Sequence, residues 1–350
     1  MQSEKENYRN LFAKFYRTER ALEFIKQYDK EQSWKTMMRK YNLRRIRNRA
    51  IWISSCAACI SILISIAYYS FIYTSSTPTE NSFADLQKIY PEKGGSKAIL
   101  TLGNGTSIDL STHQGTIAQS VKNMDGKELV YDKQNKEKVD FNTLTIPKGG
   151  EYKLILADGT KVWMNADSKI HYPVFFVGNT REVTLEGEAY FEVAHDEKHP
   201  FIVHTSLGNI QVFGTSFNVS AYKESPVIAT LVSGSVAVST KTSNIKLHPG
   251  KQAMLHNNGN INVHEVDVDM ATSWRTGVYL FNNMPLKDIV AQLSRWYDVE
   301  IHFKSTNLEK IHFTGGIDRS EELAFAISTI ADVSNVKFIR EGDTIWIENK

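Results

Sequence analysis

The chain has 350 residues, with 41 Lys/Arg against 39 Asp/Glu and a formal net charge of +2. Its only cysteines, Cys56 and Cys59, both fall in one uncharged stretch, which rules out a disulfide-stapled fold for the long remainder. The near-balanced total hides an asymmetry. Residues 1–50 hold 14 Lys/Arg and 6 Asp/Glu, a net of +8, which leaves −6 for residues 51–350.

In residues 1–50, Tyr8, Leu11, Phe12, Phe15, Leu22 and Ile25 recur near helical spacing, and Trp34, Met37, Met38 and Tyr41 continue the apolar content. One or two amphipathic helices follow. A piece this short builds little core of its own, so Phe12, Phe15, Leu22 and Trp34 are the candidate surface for a protein partner bound helix-in-groove, with the membrane interface as the other taker.

No charged residue occurs between Arg49 and Glu80. Residues 51–73 read IWISSCAACISILISIAYYSFIY; as a helix they reach about 34 Å, enough for a hydrocarbon layer of roughly 30 Å. Trp52 at one end and Tyr68, Tyr69, Phe71 and Tyr73 at the other suit the two interfaces. A cleaved signal peptide fits poorly, because fifty residues precede the segment and aromatics follow it. Arg39, Lys40, Arg44, Arg45, Arg47 and Arg49 crowd the near end with no acid among them. Such a collar stays cytoplasmic, and its place against a span favours orientation and anionic-lipid contact over direct nucleic-acid binding. The sequence therefore predicts one span, an N-terminus in the cytoplasm and a C-terminus outside. Within lipid, Cys56 and Cys59 read as small apolar residues rather than a redox or metal pair.

Residues 74–90 read as a linker, and 91–270 as an all-β domain, a sandwich or a solenoid-like stack. Period-two alternation is broken at Asn104-Gly105, Asp158-Gly159, 207–209 and Asn258-Gly259, where two-residue hairpin turns are expected. Gly95, Leu100, Leu102, Gly105 and Thr106 recur 54 residues later as Gly149, Leu154, Leu156, Gly159 and Thr160, a repeated β unit. Residues 277–348 change character. A strand at 278–281 leads to a helix opened by Pro285, with Leu286, Ile289, Val290, Leu293 and Tyr297 on one face. A second helix starts at Ser320 and buries Leu323, Ile327 and Ile330. The order β-α-β-β-α-β-β gives a small, separate α+β domain, with the strand near 344–348 as a candidate pairing edge.

The runs NTLTIPKGGEYKLILADGTKVWMNADSKIHYP (142–173), TLEGEAYFEVAHDEKHPFIVHT (184–205) and VFGTSFNVSAY (212–222), followed by LVSGSVAV and LHPGKQAML, resemble the FecR family of membrane-anchored sigma-factor regulators, or anti-sigma factors. The tail FNNMPLKDIVAQLSRWYDVEIHF and FTGGIDRSEELAFAIS resembles the C-terminal domain of the family's Bacteroidetes branch, itself similar to the short N-terminal domain of secretins and TonB-dependent receptors. The resemblance implies a circuit. An outer-membrane TonB-dependent transducer signals through its periplasmic domain to residues 91–348, and residues 1–50 hold an extracytoplasmic-function sigma factor for nutrient-uptake genes. Within these motifs Gly187, Gly214 and Gly250 read as turn or bulge glycines, and Trp163, Tyr190, Phe191, Phe213 and Phe217 alternate as core residues do.

No nucleotide-binding loop, zinc-ligand spacing or G-x-S-x-G elbow occurs, so no cofactor, metal or external substrate chemistry is expected. His195 to His199 spells H-D-E-K-H, but Pro200 follows it and a solvated loop is expected. Some FecR-like proteins are cut between a Gly and a Thr of the VFGTSF motif by a self-catalysed acyl shift; the matching positions are Gly214 and Thr215, with an ordinary β-bulge as the competing reading. The alternative function is a membrane-anchored periplasmic glycan-binding or envelope-assembly protein in which residues 1–50 are only an anchor.

Overall fold

A computed structural model describes residues 93–118, 121–131, 140–223 and 225–350. The segments expected as cytoplasmic helices, span and linker lie outside the described residues, and with them Phe12, Phe15, Leu22 and Trp34. Among the described residues no helix is long and apolar enough to cross a membrane.

The hairpin turns fall where the sequence puts them; the one near 207–209 closes over two residues, Thr205 N–H donating to Gly208 O at 3.0 Å, but the other three have five-residue geometry. At the first, Leu102 N–H donates to Thr106 O and Gly105 N–H to Leu102 O. The same pair of bonds recurs at 156–160 and at 256–260. Gly105, Gly159 and Gly259 all have φ between 82° and 89°. The side chain before each glycine explains the choice: Asn104, Asp158 and Asn258 accept from the amide two residues on, at 2.9, 2.9 and 3.0 Å. That local bond favours a turn closed by a left-handed glycine bulge.

Nineteen strands form one continuous, curled sheet. It resolves into two ladders. The first runs, in spatial order, Ser107–Asp109 (β3), Ile99–Thr101 (β2), Phe141–Ile146 (β7), Ser168–Pro173 (β10), Arg181–Glu192 (β11), Phe201–His204 (β12), Asn209–Val212 (β13), Val236–Ser239 (β16) and Asn244–Leu247 (β17). The second runs Gly115–Ala118 (β4), Val121–Met124 (β5), Glu128–Tyr131 (β6), Gly150–Ile155 (β8), Lys161–Met164 (β9), β11 again, Ser216–Ala221 (β14), Val227–Ser233 (β15), Lys251–Leu255 (β18) and Ile261–Glu265 (β19). The short Gly95–Ser96 (β1) lies parallel to the start of β8. The repeat units are thus in contact, since Gly95 N–H donates to Gly149 O.

The hinge between the ladders is β11. Residues 181–184 and 184–186 pair in the first, and 187–192 pair in the second. Gly187, at φ 87°, marks the crossing. Each ladder turns alternate residues inward. Leu100, Leu144, Ile170 and Leu185 stand side by side across the first, and meet Leu154, Val162, Phe191, Phe217 and Leu231 of the second in one core. Each fully buried side chain of this size stabilises the fold by about 1.5–3 kcal/mol. One polar cluster is enclosed there: Tyr131 and Tyr172 share a 2.8 Å bond, and Asn142 Nδ2 donates to Tyr131 at 2.6 Å. Burial pushes the Tyr131 phenol up to about 12 and Tyr172 well above its ordinary value, so both stay neutral donors.

The C-terminal module follows two short helical turns, Val268–Ala271 (α1) and the 3-10 turn Ser273–Thr276. It runs Val278–Pro285 (β20), Leu286–Tyr297 (α2), Glu300–Phe303 (β21), Thr306–Glu309 (α3), His312–Asp318 (β22), Leu323–Val333 (α4), Val336–Glu341 (β23) and Thr344–Asn349 (β24). The expected order holds with one added helical turn, α3. Both expected apolar faces are buried. The second helix, however, begins at Leu323 and not at Ser320. Asp318 Oδ1 accepts from Ser320 N–H, and the carbonyls of Arg319 and Glu321 are taken by Trp296 Nε1 and Tyr297 OH at 3.0 and 2.9 Å. Side chains of α2 hold residues 318–322 in a turn. The strand proposed as an edge is also reassigned: β24 is central, flanked by parallel β21 and antiparallel β23. The sequence shows the closing hairpin but not that β21 enters on its far side.

Candidate functional site

Gly214 and Thr215 lie between β13 and β14. Buried Arg181 organises the surroundings. Its guanidinium takes Asp158 Oδ2 at 2.7 Å and Ala194 O at 2.8 Å, and its Nε takes His199 O at 2.9 Å. The 194–199 loop is thereby tied to the 156–160 turn. The loop then brackets the motif: Val193 N–H donates to Thr215 O and Asp196 N–H to Phe213 O, at 3.0 and 2.8 Å. Gly214 adopts φ 157°. A Cβ there would stand 2.5 Å from His195 Nδ1 and 2.8 Å from His195 Cα, so the glycine is demanded by close approach of the loop. Thr215 is buried, and its Oγ1 donates to Ser235 O at 3.0 Å. A shallow cavity of about 220 Å³ opens beside the pair, lined also by Lys161, Glu192 and Ser233. A register irregularity does occur, one residue on: Ser216 faces Ser233 and Phe217 faces Leu231, which leaves Val232 as the extra residue.

The H-D-E-K-H stretch is the loop that packs on Gly214. Asp196 caps the amides of Lys198 and His199 and holds His199 Nδ1 at 2.8 Å. The His199 bond is the main reason its carboxyl is pulled down to about 2. His195 faces Glu197 at 3.6 Å. Among the described residues no three His, Cys, Asp or Glu side chains group as a metal site.

The aromatic set divides. Phe191 and Phe217 stack at 5.1 Å inside the sheet. Trp163 and Tyr190, paired across β9 and β11, face outward from it and pack under the C-terminal module. Phe213 is 43% exposed, a correction to its reading as core. Val212 points inward on β13, so its neighbour points out, and Gly214 breaks the parity before β14 resumes.

The seam under the module is the part that sequence reasoning missed. Three arginines stitch it. Arg319, 2% exposed, places Nη1 at 2.9 Å from Glu151 Oε2 and 2.5 Å from Trp274 O, and Nη2 at 3.3 Å from Asn165 Oδ1. Its guanidinium lies 3.6 Å from the Trp296 ring centroid. Arg275 lies over Tyr190 at 4.1 Å and pairs with Glu192 at 3.3 Å, and Arg295 lies over Tyr222 at 3.8 Å. Desolvated cation–π contacts contribute up to about 2 kcal/mol each. Burial raises the Tyr222 and Tyr279 phenols, which remain neutral. The available signal was the adjacency of Trp and Arg in Trp274-Arg275 and Arg295-Trp296. The seam joins the module to the β domain through the shared cluster of Ala166, Tyr190 and Trp274 with Tyr279, Phe281 and Trp296.

Comparison with known proteins assigns both parts. Residues 142–237 match the family described as FecR protein, and residues 278–347 match FecR, C-terminal. Crystal structures at 1.65 and 2.50 Å resolution of a proposed anti-sigma factor from Parabacteroides distasonis ATCC 8503 are similar, at 30% identity and a TM-score of 0.56. They cover 59% and 60% of this chain, and 99% of their own chains are covered. No curated protein matches significantly. With both family regions present in order, and a homologue at 30% identity spanned almost end to end, the chain belongs to the FecR-like anti-sigma factors.

Proposed function

We propose that this anti-sigma factor is a single-pass inner-membrane relay, with its N-terminus in the cytoplasm and its C-terminus in the periplasm. On this reading an outer-membrane TonB-dependent transducer engages the periplasmic region, and residues 1–50 hold an extracytoplasmic-function sigma factor that governs nutrient-uptake genes. The observation that carries it is the order of parts: a +8 segment, an uncharged apolar run at 51–73, then the FecR and FecR C-terminal regions. Family membership supports a sigma factor as partner; the charge asymmetry supports the orientation. For the transducer, the three-stranded sheet of the module offers β21 and β23 as free edges, each paired only with β24 among the described residues, and a free edge accepts an added strand.

Deleting residues 2–35 is expected to abolish co-purification of a sigma factor with the membrane-embedded chain and to uncouple its target genes from the external signal. Retained transcriptional control in the deletion would overturn the relay. It would favour the glycan or envelope alternative, for which one surface speaks. Thr143, His171, Thr184 and His204 are register neighbours on the outer face of the first ladder, and exposed Phe141 stacks on His171 at 5.1 Å.

The chain carries no proposed external chemistry. For self-cleavage, the Thr215 hydroxyl attacks the Gly214 carbonyl carbon, its proton passes to the departing Thr215 nitrogen, and water hydrolyses the ester. The glycine-only backbone at Gly214 supports that reading. Two fragments are then expected on a denaturing gel of membrane fractions, with full-length chain restored by Thr215→Ala. Intact wild-type protein in the same fraction removes the reaction and leaves the bulge.

A further inference from the structure

The first described residues sit at a junction of three segments. Lys93 Nζ donates to the carbonyl of Ser320 at 2.9 Å. Gly94 lies against Trp296 so closely that a Cβ would stand 2.6 Å from the indole Cε3 and Cζ3. Gly95 and Ser96 pair with Gly150 and Glu151 as β1. The carbonyl of Lys97 passes Gly150 where a Cβ would be only 2.8 Å away. The strand that receives β1 is held from the module as well. Gly149 N–H donates to Arg295 O at 2.7 Å, and Glu151 pairs with Arg319, whose guanidinium lies on the same Trp296 ring.

From these contacts we infer that the C-terminal module clamps the membrane-proximal end of the β domain, so that loosening the module releases residues 93–97 from the sheet. A two-residue strand has little holding power of its own, because strand stability comes from neighbours and burial. Here Ser320 and Trp296 hold Lys93 and Gly94 directly, Arg295 and Arg319 hold the β8 residues that receive β1, and all four belong to the module. Residues 93–97 begin twenty positions after Tyr73, where the expected span ends. The outside-in direction of the device rests on the relay reading; the clamp itself does not. It gives that reading a physical two-state element: an event at the module changes the tether leading to the membrane, with no rearrangement of the β-domain core.

Amide hydrogen exchange on the full chain in detergent tests it. Arg319→Ala and Trp296→Ala are expected to speed exchange at Gly95 and Gly149 at least tenfold, while amides of the β12–β13 hairpin exchange as in wild type. Should Gly149 speed up while Gly95 stays within twofold of wild type, the clamp is overturned. Coupling is reciprocal, so Gly94→Ala, which crowds Trp296 from the tether side, must in turn speed exchange at Gly149; an unchanged Gly149 rate also overturns it. That variant guards against global unfolding of the seam variants, which the hairpin amides would reveal. A transcriptional reporter read in parallel separates the two ideas. Faster Gly95 and Gly149 exchange with unchanged reporter output sinks the relay and leaves the clamp standing.

Discussion

Gly187→Ala is expected to destabilise the β domain by about 4 kcal/mol or more, whereas Gly159→Ala costs only about 1–2 kcal/mol. The two glycines have nearly the same backbone, φ 87° and 89°. What differs is the space. A Cβ on Gly159 meets nothing within 4 Å, so its substitution carries only the penalty of a left-handed backbone. A Cβ on Gly187 would press on Ser168 Oγ and lie 2.5 Å from Ser168 Cα and 2.6 Å from Asp167 O. Two of those three atoms are backbone and have nowhere to go, because Ser168 is fixed between the ladders: its Oγ accepts from Glu188 N–H at 2.8 Å. The strain falls on β11, the strand that both ladders share, so it is felt throughout the core. Denaturant midpoints for the two variants check this. Equal shifts would mean that the close approach at the crossing does not govern stability.

Charged replacements at Phe12, Phe15 and Trp34 are expected to abolish sigma-factor pull-down while leaving membrane insertion intact. Aromatic anchors at the centre of an interface are typically worth 2 kcal/mol or more each, about thirtyfold in affinity, and an aspartate in an apolar groove adds a desolvation cost. On the proposed topology insertion depends instead on the apolar run at 51–73 and its basic collar, which these changes leave alone. Leu22→Asp belongs to the same set with a smaller effect, since leucine is a weaker anchor than an aromatic. Binding that persists with all of the substitutions combined would show that the cytoplasmic aromatics serve another surface.

Turn chemistry and periodicity were legible because both are local. Asn104, Asp158 and Asn258 each bond an amide two residues away, so a short window contains the whole cause. The apolar face of α2 needs only twelve residues to declare itself. The errors arose where the cause lay elsewhere in the chain. Phe213 reads as core by alternation, yet Gly214 breaks the parity because the 194–199 loop presses on it. Residues 320–322 read as a helix start, yet Trp296 and Tyr297 claim the carbonyls around them. The edge strand was misplaced because a parallel neighbour arrives from more than forty residues away.

The sequence by itself determined the inventory: a charge step around one apolar run, an alternating β region, and a helical change of pattern at the C-terminus. Each rests on composition or short-range period, which burial and lipid read directly. Only the tertiary structure decided that the module is seated on the β domain. The contacts responsible, such as Arg319 with Asn165 across 154 positions, join residues with no local pattern in common. An arginine looks equally soluble in any sequence window. Burying it requires an indole, a carboxylate and two carbonyl-type oxygens to converge, and that convergence exists only once the chain has folded.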